Sequence, residues 1–405
     1  MTLPSRSRGL EVADILRTFG AAYQSRHRLP LQQRKVMNAI VKCRTAALGG
    51  HLDKCDTCDY EQPSHNSCRN RHCPKCGWAA KQAWVRARMK ELLPVTYFHV
   101  VFTLPHELNA LALENQEVIY GMLFRAAAET LLVLGHDPKH LGGQLGFIAM
   151  LHTWGQNLMD HPHLHCLVPG GGLSDDGQAW LSPKKMNTNK AFFIHVQVLS
   201  ALFKKKFLAY LKEAYQRGQL KFVGKIAALG EQRNFQALLN TLYGKGWIVY
   251  CKAPFSGPEK VLEYLARYTH RVAISNHRLL KLEQDQVTFK WRDYRDGKEK
   301  QMTLHAHEFI RRFLLHVLPR NFYRIRYYGI LSSRQRKTKL AKCQELLQAE
   351  QVQLSEEPSS SGNEAVEILP DEARRCPKCQ KGHLIRHEIP RLSPARMIVS
   401  DAGPP

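Results

Sequence analysis

The sequence predicts an α+β fold built on an antiparallel sheet, preceded by a small zinc-ribbon domain. Short apolar runs at 97–104, 146–156 and 163–168 have strand length and are bounded by turn residues, whereas 115–134 and 193–215 keep the apolar spacing of helices. The two kinds of element alternate too irregularly for a repeating βαβ unit, which leaves a layer of helices on an antiparallel sheet. The third observation is a dense set of cysteines and histidines ahead of the first of these strands.

Residues 10–23 and 31–48 read as two helices leading into that set. Cys55-x2-Cys58 and Cys73-x2-Cys76 are separated by fourteen residues, the spacing of two knuckles closing one tetrahedral zinc site. Cys43, His51, Cys68 and His72 surround them and are candidates for a second zinc. So little apolar sequence lies between these ligands that the metal is expected to fold the segment. A basic helix at 78–93 leads to the strand at 97–104, the helix at 115–134 and a hairpin formed by 146–156 and 163–168. Asp175-Asp176-Gly177 marks a turn, and 193–215 is a basic amphipathic helix.

A strand at 247–251 feeds a second candidate segment. Ser256-Gly257-Pro258-Glu259 is a helix start, and Val261, Leu262, Leu265 and Val272 supply helical spacing. Two strands flank Trp291 and a helix covers 306–318. Arg334-Gln335-Arg336-Lys337 opens a further helix, and 355–372 is an acidic, Ser-rich linker. Cys376-Pro377-Lys378-Cys379, with His383 beyond, is a lone knuckle without an obvious second pair. The expected domains are 1–93, 94–335, 336–375 and 376–405.

The chain of 405 residues is long enough for two or three domains. Its 59 Lys and Arg against 35 Asp and Glu give a formal charge of +24, which points to a polyanionic partner bound in a salt-sensitive way. No apolar run approaches the roughly eighteen residues of a membrane span, and Met1-Thr2-Leu3-Pro4-Ser5-Arg6 lacks a signal core, so a cytoplasmic protein is expected. In that compartment the eleven cysteines stay reduced, and their clustering favours metal over disulfides.

Two patterns carry chemistry. In His161-Pro162-His163-Leu164-His165-Cys166-Leu167-Val168 the alternation of a strand places His163 and His165 on one face, a bidentate grip for a divalent metal, and Pro169-Gly170-Gly171-Gly172 ends the strand. Tyr264 and Tyr268 stand at i and i+4, stacked on one helix face, with Arg267 and Arg271 beside them as candidate phosphate contacts. Tyr323 and Tyr327 share that spacing, but the residues after Pro319 alternate with period two, so this stretch reads as an extended packing or DNA-contacting segment.

Taken together, His163-Leu164-His165, Tyr264 with Tyr268, the run Asn66-Ser67-Cys68-Arg69-Asn70-Arg71-His72-Cys73-Pro74-Lys75-Cys76 and the early strand Val101-Phe102-Thr103-Leu104-Pro105 resemble the HUH endonucleases. Within them, the similarity is to the two-tyrosine rolling-circle transposases of the bacterial insertion sequence ninety-one type, over about residues 30–335. The resemblance implies a ferredoxin-like palm with the HxH on a central strand, catalytic Mg2+ or Mn2+, structural Zn2+ and Tyr264 and Tyr268 as nucleophiles. It implies nicking and rejoining of single-stranded DNA at element ends through a 5′-phosphotyrosine, with host helicase or replication proteins as partners. Such enzymes add a third polar metal ligand, for which Gln156 is the first choice and His161 and His152 are rivals. A plasmid replication initiator or relaxase with the same chemistry, and a non-catalytic zinc-ribbon DNA-binding protein, are the alternatives. A zinc hydrolase would want an acidic ligand where Leu167 stands, and no GxxxxGK[ST] marks a helicase motor.

Overall fold

The computed structural model describes residues 9–183, 194–255, 272–293, 296–354 and 375–391. The chain opens with α1 (Val12–Arg26) and α2 (Leu31–Lys42). A capping box between Glu11 and Asp14 satisfies the first amides of α1, and Val12, Ile15, Leu16 and Tyr23 form its buried stripe. α2 stops at Lys42 rather than running to 48, because Cys43 leaves the helical conformation and Arg44 takes a positive φ of 55°. The hairpin β1 (Gly50–Cys55) and β2 (Glu61–His65) and the helix α3 (Gly77–Met89) follow.

The central layer begins with β3 (Tyr97–Thr103), then α4 (Asn109–Glu114), α5 (Gln116–His136), β4 (Gly146–Trp154) and β5 (Asp160–Pro169). A small ribbon of β6 (Gly172–Leu173) and β7 (Trp180–Leu181) precedes α6 (Val196–Gln216), α7 (Gln232–Gly244) and β8 (Val249–Phe255). β9 (Leu279–Glu283), β10 (Gln286–Arg292) and β11 (Glu299–His305) form a meander capped by α8 (Ala306–Leu315). β12 (Ile325–Gly329), α9 (Arg336–Leu354) and β13 (Leu384–Ile389) complete the described chain.

The main sheet has the order β12-β4-β5-β3-β8, with every neighbouring pair antiparallel. β5, which carries the HxH, is the middle strand, so its backbone is bonded on both sides. The fold is thus α+β, as expected. One face of the sheet, with Val100, Phe102, Phe147, Leu164 and Cys166, packs against α5 and α6 through Leu123, Phe124, Phe203 and Phe207. Each such large side chain contributes about 1.5–3 kcal/mol on burial. α5 is long and apolar enough to cross a membrane by length and composition, and most of it is buried in this core instead.

The opposite face is apolar at one end, with Ile148, Met150, Leu167 and Tyr97, and rich in histidine at the other. Trp154 and Leu158, beyond the histidines, belong to a second core shared with α1, α2, α8 and the β9–β11 meander. At the end of β12, Gly329 (φ +59°) lies so close to the Leu145 carbonyl that a Cβ would collide with it, which fixes glycine there. A third sheet, β13-β1-β2, joins the last described segment to the amino-terminal hairpin.

Candidate functional site

His163 and His165 leave β5 on the same face, and the antiparallel register sets His152 of β4 directly opposite His163. One nitrogen from each of His152, His163 and His165 lies within 4.8 Å of the others. Their ring centroids are 4.5 Å apart for His152 and His165, 4.7 Å for His163 and His165 and 5.5 Å for His152 and His163. Nδ1 of His163 is 2.6 Å from the His161 carbonyl oxygen, which can only accept, so Nδ1 carries the proton and Nε2 the lone pair. Nδ1 of His165 is 2.8 Å from Nε2 of His99, a buried residue of β3. Trp154 stacks on His152 with centroids 4.8 Å apart, closing the site on that side.

His152, one of the rivals, supplies the third grouped nitrogen, and the register gives the expected third ligand, Gln156, no strand position facing His163 or His165. Gly155 N–H bonds the Met159 carbonyl at 2.9 Å and Leu158 takes a positive φ of 62°, so the tight turn falls at 155–159 rather than at 159–162. β5 therefore starts at Asp160 and the residue facing His163 is His152. Gln156 sits in the turn, where its carbonyl accepts from Arg278. His161 is exposed and outside the group. His99 was missed by sequence reasoning altogether; only its position in an otherwise apolar strand could have drawn attention.

Tyr264, Tyr268, Arg267 and Arg271 lie outside the described residues. The competing pair is placed. Tyr323 is 76% exposed. Tyr327 is on β12, with its hydroxyl accepting from Trp84 Nε1 at 3.1 Å and from Arg88 at 2.8 Å.

The cysteines assemble differently from the expected Cys55, Cys58, Cys73 and Cys76 set. Cys43, Cys68, Cys73 and Cys76 form one group, and Cys55 and Cys58 form another with Cys376 and Cys379. In the first, Cys76 Sγ is 3.4 Å from Cys43 and 3.6 Å from Cys68. A tetrahedron with Zn–S bonds of about 2.3 Å has edges of about 3.8 Å, so these thiols are spaced for one ion. His51 and His72 belong to neither group. Burial, reinforced by the guanidinium groups of Arg71 and Arg324, pushes the His72 imidazole down to about 3, so it is neutral. Arg71 docks this knuckle on the connection between α8 and β12, donating to the carbonyls of Phe322 at 2.6 Å and Pro319 at 2.8 Å. Beside it opens a cavity of about 1050 Å³ whose wall includes Lys42, Arg44, His51, His65, Arg69 and Arg391, a lining suited to phosphate.

A family model described as "Putative transposase" matches residues 146–339, and one described as "Transposase zinc-binding domain" matches residues 15–104. The chain is 50% identical to the "Putative transposase y4qJ" of Sinorhizobium fredii (strain NBRC 101917 / NGR234), covering 94% of this chain and 96% of that protein. It is 28% identical to the "Transposase for insertion sequence element IS801" of Pseudomonas savastanoi pv. phaseolicola, over 74% of this chain and 70% of the relative. No solved structure matches. The three-histidine site therefore stands in the segment matched by the transposase model, the Cys43 group in the one matched by the zinc-binding model, and the chain belongs to the transposases of the IS91 type.

Proposed function

We propose that this transposase nicks and rejoins single-stranded DNA at the ends of its element by tyrosine transesterification, in the rolling-circle manner, in the cytoplasm. The observation that carries the reading is the convergence of His152, His163 and His165 on one face of adjacent central strands. Three imidazoles suit Mn2+ better than Mg2+, which prefers oxygen donors. Bound there, the cation would act as a Lewis acid on the scissile phosphate and hold it in place. His99 and the His161 carbonyl orient the two β5 rings, and Trp154 shields one side of the site.

The nucleophile we assign to Tyr264 or Tyr268. In sequence their segment joins β8, whose Phe255 pairs with Tyr97, to Ala273 and Ile274, which belong to the same buried cluster as Trp154. The phenol loses its proton to solvent, its oxygen bonds to phosphorus, and the bond from phosphorus to the 3′ oxygen breaks. That oxygen takes up a proton and leaves as a free 3′ hydroxyl. The phosphotyrosine keeps the bond energy for rejoining, so no nucleotide cofactor is consumed. The basic cavity beside the Cys43 group would take the DNA backbone, and strand opening would fall to host helicase or replication proteins.

The test is cleavage of a labelled single-stranded element end in Mn2+. His163→Ala and His165→Ala should each reduce nicking by at least 10²-fold while DNA binding and zinc content stay close to wild type. Full nicking by either variant overturns the reading.

A further inference from the structure

We infer that Cys55, Cys58, Cys376 and Cys379 hold a structural zinc ion of their own, so that the carboxy-terminal segment completes a ribbon begun at the other end of the chain. Cys55 ends β1 and Cys58 lies in the turn after it, while β13 runs antiparallel along β1 from Gly50 opposite Ile389 to Cys55 opposite Leu384. That register brings Cys55 Sγ to 3.7 Å from Cys379 Sγ, and Cys58 Sγ to 3.7 Å from Cys376 Sγ. All four sulfurs lie within 4.8 Å of one another. These separations are far beyond a disulfide's roughly 2.05 Å and match the edges of about 3.8 Å of a zinc tetrathiolate.

The surroundings support thiolates. The amides of Thr57 and Gly382 point at Cys55 Sγ (3.4 Å) and Cys379 Sγ (3.3 Å), the outer bonds that orient a metal-bound sulfur. A Cβ on Gly382 would come within 2.6 Å of Cys55 Sγ, so the two knuckles close only around glycine. Asp53 and Arg386 pair through bonds of 2.7 and 3.0 Å, and Lys378 pairs with Asp59. β2 and β13 are otherwise mostly exposed, leaving too little apolar burial to hold this sheet together. Four thiolates leave no open position, so the ion is structural. On binding, four S–H groups lose their protons to solvent and four Zn–S bonds form.

Cys58 and Cys376 are 318 positions apart, with the whole main sheet between them. The site can therefore close only after the stretch of chain that forms that sheet has been synthesised. Closure also carries Arg391 to the basic cavity that holds Lys42, Arg44 and Arg69, so the end of the chain finishes the phosphate-binding wall as well as the metal site.

Elemental analysis of the full-length protein should find two zinc ions per chain, one for each four-cysteine group. The double variant Cys376→Ser, Cys379→Ser should hold one, as should Cys55→Ser, Cys58→Ser, and the quadruple variant should also hold one because all four thiols serve the same ion. Retention of two ions by either double variant, or loss of both by the quadruple variant, overturns the inference. A second measurement needs no substitution: alkylation of the native protein during stepwise chelation, read by mass spectrometry. Cys55, Cys58, Cys376 and Cys379 should become reactive together, as a cohort separate from Cys43, Cys68, Cys73 and Cys76. Rapid alkylation of Cys376 and Cys379 in zinc-loaded protein while Cys55 and Cys58 stay protected would also overturn it.

Discussion

His99 Nε2 lies 2.8 Å from His165 Nδ1, with the two rings stacked 9° from parallel and 5.0 Å apart at their centroids. Side chains alternate along a strand, so His99 on β3 reaches the same face as the grouped histidines, and Val101 two residues on stands opposite His165. The bond occupies one ring nitrogen of His165 and directs the other toward the cluster. An outer partner of this kind typically supports 10–100-fold in metal affinity.

His99→Ala should therefore weaken Mn2+ binding about 10-fold or more, and raising the Mn2+ concentration should restore nicking. The readout is the Mn2+ concentration at half-maximal nicking. His99→Gln, which keeps an amide within reach, should recover part of the loss. An unchanged metal dependence in His99→Ala would mean that the ring serves packing alone.

The hairpin register separates His152 from Gln156. His152→Ala removes one of three grouped nitrogens and should reduce Mn2+-dependent nicking by about 10²-fold or more. Gln156→Ala leaves the carbonyl that accepts from Arg278 in place and should keep activity within about threefold. Equal losses in both variants would restore Gln156 as a ligand.

Those outcomes bear on how far the sequence can be read. The alternation of His163-Leu164-His165 needs only strand periodicity, and that was legible. Which residue faces His163 depended on where a turn falls, and a shift from 159–162 to 155–159 puts His152 there in place of Gln156. The cysteine groups fail for a different reason. Local spacing shows that Cys55-x2-Cys58 is a knuckle, but not whether its partner pair is Cys73 and Cys76 or one 318 positions away. Cys43 and Cys68 carry no pair signature of their own, so their junction with Cys73 and Cys76 is visible only in three dimensions.

Two buried groups give stability opposite slopes with pH. Burial pushes the His316 imidazole down to about 4, offset in part by the Leu158 carbonyl 3.0 Å from its Nε2. Because the folded value is depressed below the unfolded one, this contribution is present above about pH 6.5 and is lost as pH falls toward 4. Burial pushes the Asp160 carboxyl up to about 7, and neither of its oxygens has a hydrogen-bond partner among the described residues. Its folded value is raised, so stability falls as pH rises from about 4 to 7. The effects are on the order of 3 kcal/mol for His316 and on the order of 4 kcal/mol for Asp160. Asp160→Asn should raise the urea midpoint at pH 8 and change it little at pH 4, while His316→Gln should flatten the slope between pH 6.5 and 4. Parallel shifts at all pH values would refute the assignment.

The last prediction distinguishes the two tyrosine pairs. Tyr327 is packed under the guanidinium groups of Arg88 and Arg336, 5.6 and 5.4 Å from its ring centroid, and its hydroxyl is already engaged by Trp84 and Arg88. Tyr327→Phe should cost about 1 kcal/mol of stability from those lost bonds and leave the covalent DNA linkage intact. Tyr323→Phe should have no effect on either. Replacing both Tyr264 and Tyr268 by Phe removes only two hydroxyls, so DNA binding should persist while the covalent complex with a 5′-labelled end disappears. The single variants separate the steps: one that still nicks but fails to complete transfer identifies its tyrosine as the acceptor of the second strand. A covalent complex surviving in the Tyr264→Phe, Tyr268→Phe protein and lost in Tyr323→Phe would move the nucleophile to the exposed connection just before β12.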